Sequence, residues 1–189
     1  MTSLFTSPVA VSHWWLKEFL APGMVAVDAT AGNGYDTALL AERVGPSGRV
    51  FAFDIQQEAL EETKKRLVKL GLADRVRLIA AGHERLLEYI QSPINAMVFN
   101  LGYRPRGDKT IITRPETTIE ALKAGMTLLV PNGLIVMTVY VGHPGGAEEW
   151  TSLERFIAGL PTEEWRVVKL RFINRPEHAP FNIGLQKIG

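Results

Sequence analysis

The sequence predicts an α/β protein with a mainly parallel seven-stranded sheet, helices on both faces and an antiparallel last strand. Three observations predict it. Short apolar runs of strand length alternate with amphipathic stretches of helix length along most of the chain. The last two apolar runs have no helical stretch between them, so they pair antiparallel. Two of the early runs end in a carboxylate, Asp28 and Asp54, at the strand ends where an open sheet meets its ligand.

Each element has its own signal. Val9–Leu20 has the spacing of an amphipathic helix and stops at Pro22-Gly23. Met24–Asp28 is a short buried strand. Tyr35–Val44 is a helix closed by Gly45-Pro46, and Val50–Asp54 is the second strand. Gln57–Leu70 is a helix stopped at Gly71, and Val76–Ala80 and Ala96–Asn100 are the third and fourth strands. A polar, basic loop follows, Gly102 to Arg114, and Pro115 suits the first turn of a helix running toward Leu129. Pro131-Asn132-Gly133 turns into the strand Leu134–Tyr140. A glycine-rich loop, Gly142 to Gly146, precedes the helix Ala147–Leu160. The closing strands Val167–Phe172 and Asn182–Lys187 flank Arg175-Pro176-Glu177-His178-Ala179-Pro180. No repeat or second domain interrupts this pattern, so a single domain over 1–189 is expected.

Composition narrows the function. The 189 residues are 46% hydrophobic and 22% charged, enough for one full core and too apolar for a disordered chain. Lys+Arg 21 against Asp+Glu 20 leaves +1, so a nucleic acid would have to be held by local clusters. The absence of cysteine removes disulfides, thiolate metal sites and cysteine nucleophiles. No acidic or histidine cluster predicts a metal. Residues 1–23 lack a basic start and carry Lys17 and Glu18, and no apolar run reaches bilayer length. A cytoplasmic protein without membrane contact is expected.

The first strand runs into Asp28-Ala29-Thr30-Ala31-Gly32-Asn33-Gly34-Tyr35-Asp36-Thr37. Its glycines let backbone N–H groups approach a ligand. Asp54, with Ile55 and Gln56 after it, ends the second strand where a carboxylate can accept both ribose hydroxyls. Dinucleotides and S-adenosylmethionine both fit that arrangement. The dinucleotide fingerprint wants a third glycine where Thr37 stands. Asp28 would repel a pyrophosphate but attract the ammonium of a methionine moiety, so the electrostatics favour S-adenosylmethionine. Gly82 and His83, after the third strand, lie where an adenine edge would. An alternative reading makes them a helix-start loop with a solvated histidine.

The fourth strand ends Phe99-Asn100-Leu101-Gly102-Tyr103, which resembles the Asn-Pro-Pro-Tyr segment of amine-directed nucleic-acid methyltransferases. Asn100 Oδ1 can accept a hydrogen bond from an amine and aim its lone pair, and Tyr103 can stack on a base. Methylation at pyrimidine C5 through a cysteine adduct is excluded by composition, so a nitrogen acceptor is favoured. Arg104, Arg106, Lys109 and Arg114 form one basic cluster beside Asp108, and Lys169, Arg171 and Arg175 a second. Both suit a phosphodiester substrate. His143, in Tyr140-Val141-Gly142-His143, is a candidate general base or RNA contact. His13, beside Trp14-Trp15, reads as packing or a substrate-edge contact rather than chemistry.

Together these segments resemble the YtqB family, labelled as rRNA methylases and associated with the tRNA methyltransferase MnmM. The match runs in order through 28–37, Ala52-Phe53-Asp54-Ile55-Gln56, the block Asn100-Leu101-Gly102-Tyr103 with Gly107-Asp108-Lys109, and Tyr140–His143. The resemblance implies a class I methyltransferase fold of Rossmann-like type. It implies S-adenosylmethionine-dependent methylation of the 5-aminomethyl group of 5-aminomethyl-2-thiouridine at wobble position 34, in the anticodon loop of tRNA. Asn100, Tyr103 and Asp108 would orient the amine, and His143 would accept or relay its proton. The small size points to a homodimer that extends the RNA surface. Arg104 and Arg106 stand where the family usually has a neutral residue and a glycine, and 177–180 where it has Asn and paired prolines. These departures bear on the substrate, not the cofactor. The competing readings are an rRNA or small-amine N-methyltransferase, a non-catalytic S-adenosylmethionine-dependent RNA-binding module and, more distantly, an NAD-binding oxidoreductase.

Overall fold

The computed structural model describes residues 5–102 and 112–189. Helix α1 spans Pro8–Phe19; Ser7 caps it by accepting the Ala10 N–H at 3.1 Å, and Pro8 opens it without forfeiting a helical hydrogen bond. Strand β1 (Val25–Asp28) leads into α2 (Tyr35–Val44), β2 (Arg49–Asp54) into α3 (Gln57–Lys69), and β3 (Val76–Ala80) into a short helical segment ending in α4 (Leu86–Tyr89). Strand β4 (Ile94–Leu101) is followed by α5 (Pro115–Leu128), β5 (Leu129–Val139), α6 (Gly146–Ala158), β6 (Trp165–Leu170) and β7 (Phe181–Lys187). Residues 73–75 and 83–85 form single 3₁₀ turns that the apolar pattern is too short to announce.

The sheet order is β3-β2-β1-β4-β5-β7-β6. Strands β1 to β5 are parallel, and β7 runs antiparallel between β5 and β6. The expected seven strands and antiparallel last strand are therefore present. Most boundaries agree within two residues. The exception is β5, which begins at Leu129 rather than Leu134. Ile94 pairs with Leu129 and Ala96 with Leu134, so the strand takes up the three-residue Pro131-Asn132-Gly133 turn as an irregularity. Asn132 there has φ 62°, a conformation asparagine tolerates.

The period-2 alternation of the strands sorts two cores. Val27, Phe53, Met97, Phe99 and Leu101 pack toward Leu86, Leu122 and Leu153 of α4, α5 and α6. Ala26, Val50, Ala96, Val98 and Val136 pack toward Leu16 of α1, Leu40 of α2 and Leu67 of α3. The same parity puts Asp28 and Asn100 on the α1–α2 side at the carboxyl ends of adjacent strands. The chain leaves β1 for β2 and β3 on one side and returns as β4 on the other. That reversal opens the crevice in which sheets of this kind bind ligands.

Candidate functional site

The β1–α2 turn is built around Asp28. Its side chain is fully buried, accepting the Thr30 N–H at 3.1 Å and the Thr37 hydroxyl at 2.5 Å. Burial, and then the nearby Asp36 carboxylate, push Asp28 up to about 7. Gly34 caps α2 at φ +75°, where an added Cβ would lie 2.8 Å from the Thr63 side chain and 2.9 Å from its Cα. Gly32 has φ +52°, but a Cβ there would meet nothing nearer than Thr30 O at 3.7 Å, so its face is open to a ligand. Thr63 and Arg66 of α3 hold the carbonyls of Gly32 and Asn33 at 3.2 and 2.9 Å. The Arg66 guanidinium also stacks 3.7 Å over the exposed Tyr35 ring.

Asp54 closes the next strand end. It accepts Gly32 N–H at 2.8 Å and Gln56 N–H at 2.9 Å, which locks the carboxylate to the glycine turn. Ile55 beside it is 63% exposed and offers an apolar face. Beyond β3, His83 is not solvated, which overturns that alternative: burial holds its pKa below the ordinary value, and the ring packs edge-on against Phe99. Its Nδ1 lies 3.0 Å from Ala29 O. A carbonyl only accepts, so Nδ1 carries the proton and the buried, unpartnered Nε2 is left as an acceptor. Gly82 sits against the Glu84 carboxylate, which leaves no room for a Cβ.

Asn100 joins this turn from β4. Its backbone N–H donates to Thr30 Oγ1 at 2.8 Å, and its Nδ2 donates to Asp36 Oδ2. Its Oδ1 is buried without a partner. Asp36 is itself buried, and its Oδ1 meets His13 Nε2 at 2.5 Å. Tyr140, immediately after β5, is partly buried. That burial, and then the Asp36 charge, raise the pKa of its phenol.

The stem of the following loop is tied down. Gly102 N–H donates to Thr113 Oγ1 at 2.9 Å, and Thr113 N–H donates back to Gly102 O at 3.0 Å. The hydroxyls of Thr113 and Thr118 both donate to buried Glu149 of α6, at 2.8 and 2.7 Å. Burial raises the Glu149 pKa. His143 lies beside the stem: a Cβ on Gly102 would be 3.4 Å from its Nε2, while its Nδ1 is 2.9 Å from Pro144 O.

The structure thus gathers Asp28, Thr30, Ala31, Gly32, Asn33, Gly34, Asp36, Thr37, Asp54, Ile55, Gln56, Gly82, His83, Asn100 and His143 along one edge of the sheet. Arg114 is exposed at the start of α5, and Arg171 and Arg175 are exposed in the β6–β7 connection. A Cβ on Gly142 would lie 3.4 Å from His178 O, so that connection borders the 140–143 loop. Tyr103, Arg104, Arg106, Asp108 and Lys109 lie outside the described residues. Sequence reasoning gave His13 only as packing or a substrate-edge contact, and it missed Tyr140 and Glu149 as members of the site.

Comparison with known proteins agrees with this geometry. A family model described as "Putative rRNA methylase" matches residues 50–186. The chloroplastic tRNA (mnm(5)s(2)U34)-methyltransferase of Arabidopsis thaliana is 41% identical over 178 residues, covering 88% of this chain. The chain spans 64% of that relative's length. A solved structure described as a "putative rRNA-methylase" from Clostridium thermocellum superposes with TM-score 0.95 at 44% identity, covering all of both chains. A "putative methyltransferase" from Streptococcus mutans, solved in complex with SAH, gives 0.88 at 33% identity with the same coverage.

Proposed function

The chain belongs to the family described as putative rRNA methylase, with the class I methyltransferase fold, and from that premise we propose that it methylates the 5-aminomethyl nitrogen of 5-aminomethyl-2-thiouridine at tRNA position 34, using S-adenosylmethionine. The observation that carries the reading is the buried, unpartnered Oδ1 of Asn100 beside the glycine turn. An acceptor of that kind, with no polar partner among the described residues, calls for a donor such as a substrate amine. The mnm(5)s(2)U34 in the name of the Arabidopsis relative denotes an amine of this class.

The residues fit the cofactor. Its adenosine presents hydroxyl and amine donors, and the site offers acceptors at Asp54 and His83 Nε2. The open face of Gly32 admits close approach, and Asp28, buried beneath the turn with its oxygens taken by Thr30 and Thr37, shapes the turn rather than meeting the ammonium expected of it from the sequence. Bound S-adenosylmethionine supplies an electrophilic sulfonium methyl group. Asn100 accepts from the amine and directs its lone pair. The amine resembles a lysine amine, of free pKa about 10.4. Its placement beside buried groups lowers that value. His143, with Asp108 and Tyr103 of the loop, completes the acceptor side in this reading, and Arg104, Arg106, Lys109, Arg114, Arg171 and Arg175 meet the RNA backbone. One domain, working in the cytoplasm as a homodimer, carries the activity. Among the described residues no helix is long and apolar enough to cross a membrane.

The test is methyl transfer from labelled S-adenosylmethionine to bulk tRNA from cells lacking the final wobble methylation, followed by nucleoside mass spectrometry. Conversion to 5-methylaminomethyl-2-thiouridine is expected. No conversion with cofactor binding intact overturns the reading, and rRNA then becomes the substrate to try.

A further inference from the structure

Both oxygens of Asp36 are engaged, Oδ1 by His13 Nε2 at 2.5 Å and Oδ2 by Asn100 Nδ2, and the carboxylate is 6% exposed. A carboxylate only accepts hydrogen bonds, so the atom of Asn100 that meets it must be the amide nitrogen. That contact selects one of the two flips of the Asn100 amide and leaves Oδ1 buried with no partner. We infer that His13 and Asp36 are a positioning pair that locks the Asn100 amide with its carbonyl oxygen presented to the acceptor amine. The inference rests on the reading of Asn100 given above.

The role of His13 follows from the surroundings of Asp36. Asp28 lies close enough to interact with it electrostatically, and Tyr140 packs on the same side. An imidazole N–H held on Oδ1 fixes the orientation of the carboxylate, and with it the oxygen that Asn100 Nδ2 meets. The pair belongs to α1 and α2, so the first helix takes part in the site although it contains no strand-end residue. His13 also lines an open groove of about 390 Å³ with Tyr35, Leu39 and Glu42, which leaves room for a side chain of another shape.

The test uses the whole protein with His13→Leu, His13→Gln and Asp36→Asn. Glutamine keeps an N–H donor; leucine does not. A hydrogen bond to a buried charge corresponds to about a ten- to hundred-fold effect on rate. His13→Leu and Asp36→Asn are therefore expected to lower kcat on tRNA by that factor, with the KM for tRNA and the Kd for S-adenosylmethionine unchanged. His13→Gln should retain most of the turnover. A second readout is independent of activity: the side-chain amide resonances of Asn100, assigned by their loss in Asn100→Asp. In the wild type they should be shifted by the carboxylate and slow to exchange with solvent, and in His13→Leu and Asp36→Asn both properties should relax. Equal losses in His13→Leu and His13→Gln, or an Asn100 amide indifferent to all three variants, overturn the positioning pair. Failure of the wild type to methylate the tRNA would overturn the substrate reading alone, because the amide resonances still report the lock.

Discussion

The backbone N–H of Asn100 donates to the side-chain oxygen of Thr30 across a sequence separation of 70 residues, at 2.8 Å. Because β1 and β4 are also paired, with Ala29 N–H bonded to Val98 O, the glycine turn and the end of β4 form one rigid corner. Thr30→Val should strand the Asn100 N–H at a cost of about 1–3 kcal/mol. Thermal unfolding should show this as about 2–4 °C per kcal/mol, and Thr30→Ser should recover most of it.

Asn100→Ala should lower kcat by about two to three orders of magnitude, as loss of an aligned polar group at a reacting centre does. The Kd for S-adenosylmethionine, measured by calorimetry, should stay nearly constant. Near-normal turnover would remove Asn100 from the acceptor side.

Asp28 sets a pH dependence. Its pKa rises from 3.8 to about 7 on folding, so between these values only the unfolded chain releases the proton. Stability from this group is full below about pH 4, falls as pH rises and levels off above about 7. Asp28→Asn removes the titration. The melting temperature of the variant relative to wild type should therefore climb between pH 4.5 and 8, and a constant difference would contradict the assignment.

The two turn glycines should fail differently. Gly34→Ala combines a left-handed φ with overlap against Thr63 and should cost at least about 2–3 kcal/mol. Adding Thr63→Ala should not restore it, because the overlap with the Thr63 Cα at 2.9 Å remains. Gly32→Ala meets nothing closer than 3.7 Å, so it should cost only the strain of its left-handed φ, about 1–2 kcal/mol, and melt above Gly34→Ala. Its methyl group enters the ligand's space and should weaken S-adenosylmethionine binding at least about tenfold, near 1.4 kcal/mol.

Glu149 should tolerate glutamine and not leucine. Glutamine can accept from one threonine and donate to the other. Leucine strands the fully buried Thr118 hydroxyl, for about 1–3 kcal/mol. Circular dichroism melts of the two variants make the comparison.

The strands and the cofactor edge were legible because their signals are local. An apolar run ending in Asp28 or Asp54, followed by a glycine turn, says strand, ligand and helix within a dozen residues. The irregular start of β5 was hidden by good turn chemistry at Pro131-Asn132-Gly133, which the sheet absorbs through its pairing with Ile94 and Ala96. His13 and Glu149 were illegible for another reason. Each sits on an amphipathic helix, His13 beside Trp14-Trp15 and Glu149 between Glu148 and Trp150, and periodicity cannot tell an exposed polar side chain from one whose partner comes from a distant segment. His13 finds Asp36 on another helix, and Glu149 finds Thr113 and Thr118 beyond β4. His83 was ambiguous because a polar side chain after a strand gives no sign of the Phe99 ring and Ala29 carbonyl that bury it.

The strand order also constrains assembly on the ribosome. β1, β2 and β3 can zip together as soon as they emerge, but the other edge of β1 stays open until β4 is made. At the far end, β6 is synthesised before β7, the strand that separates it from β5. In a chain made from its N-terminus, β1 therefore lacks a neighbour on that side until β4 exists, and β6 can join the sheet only once β7 has been made. Parallel pairings between distant segments close slowly, so circular permutants that place β4 directly after β1, or β7 before β6, should refold at different rates from the natural order.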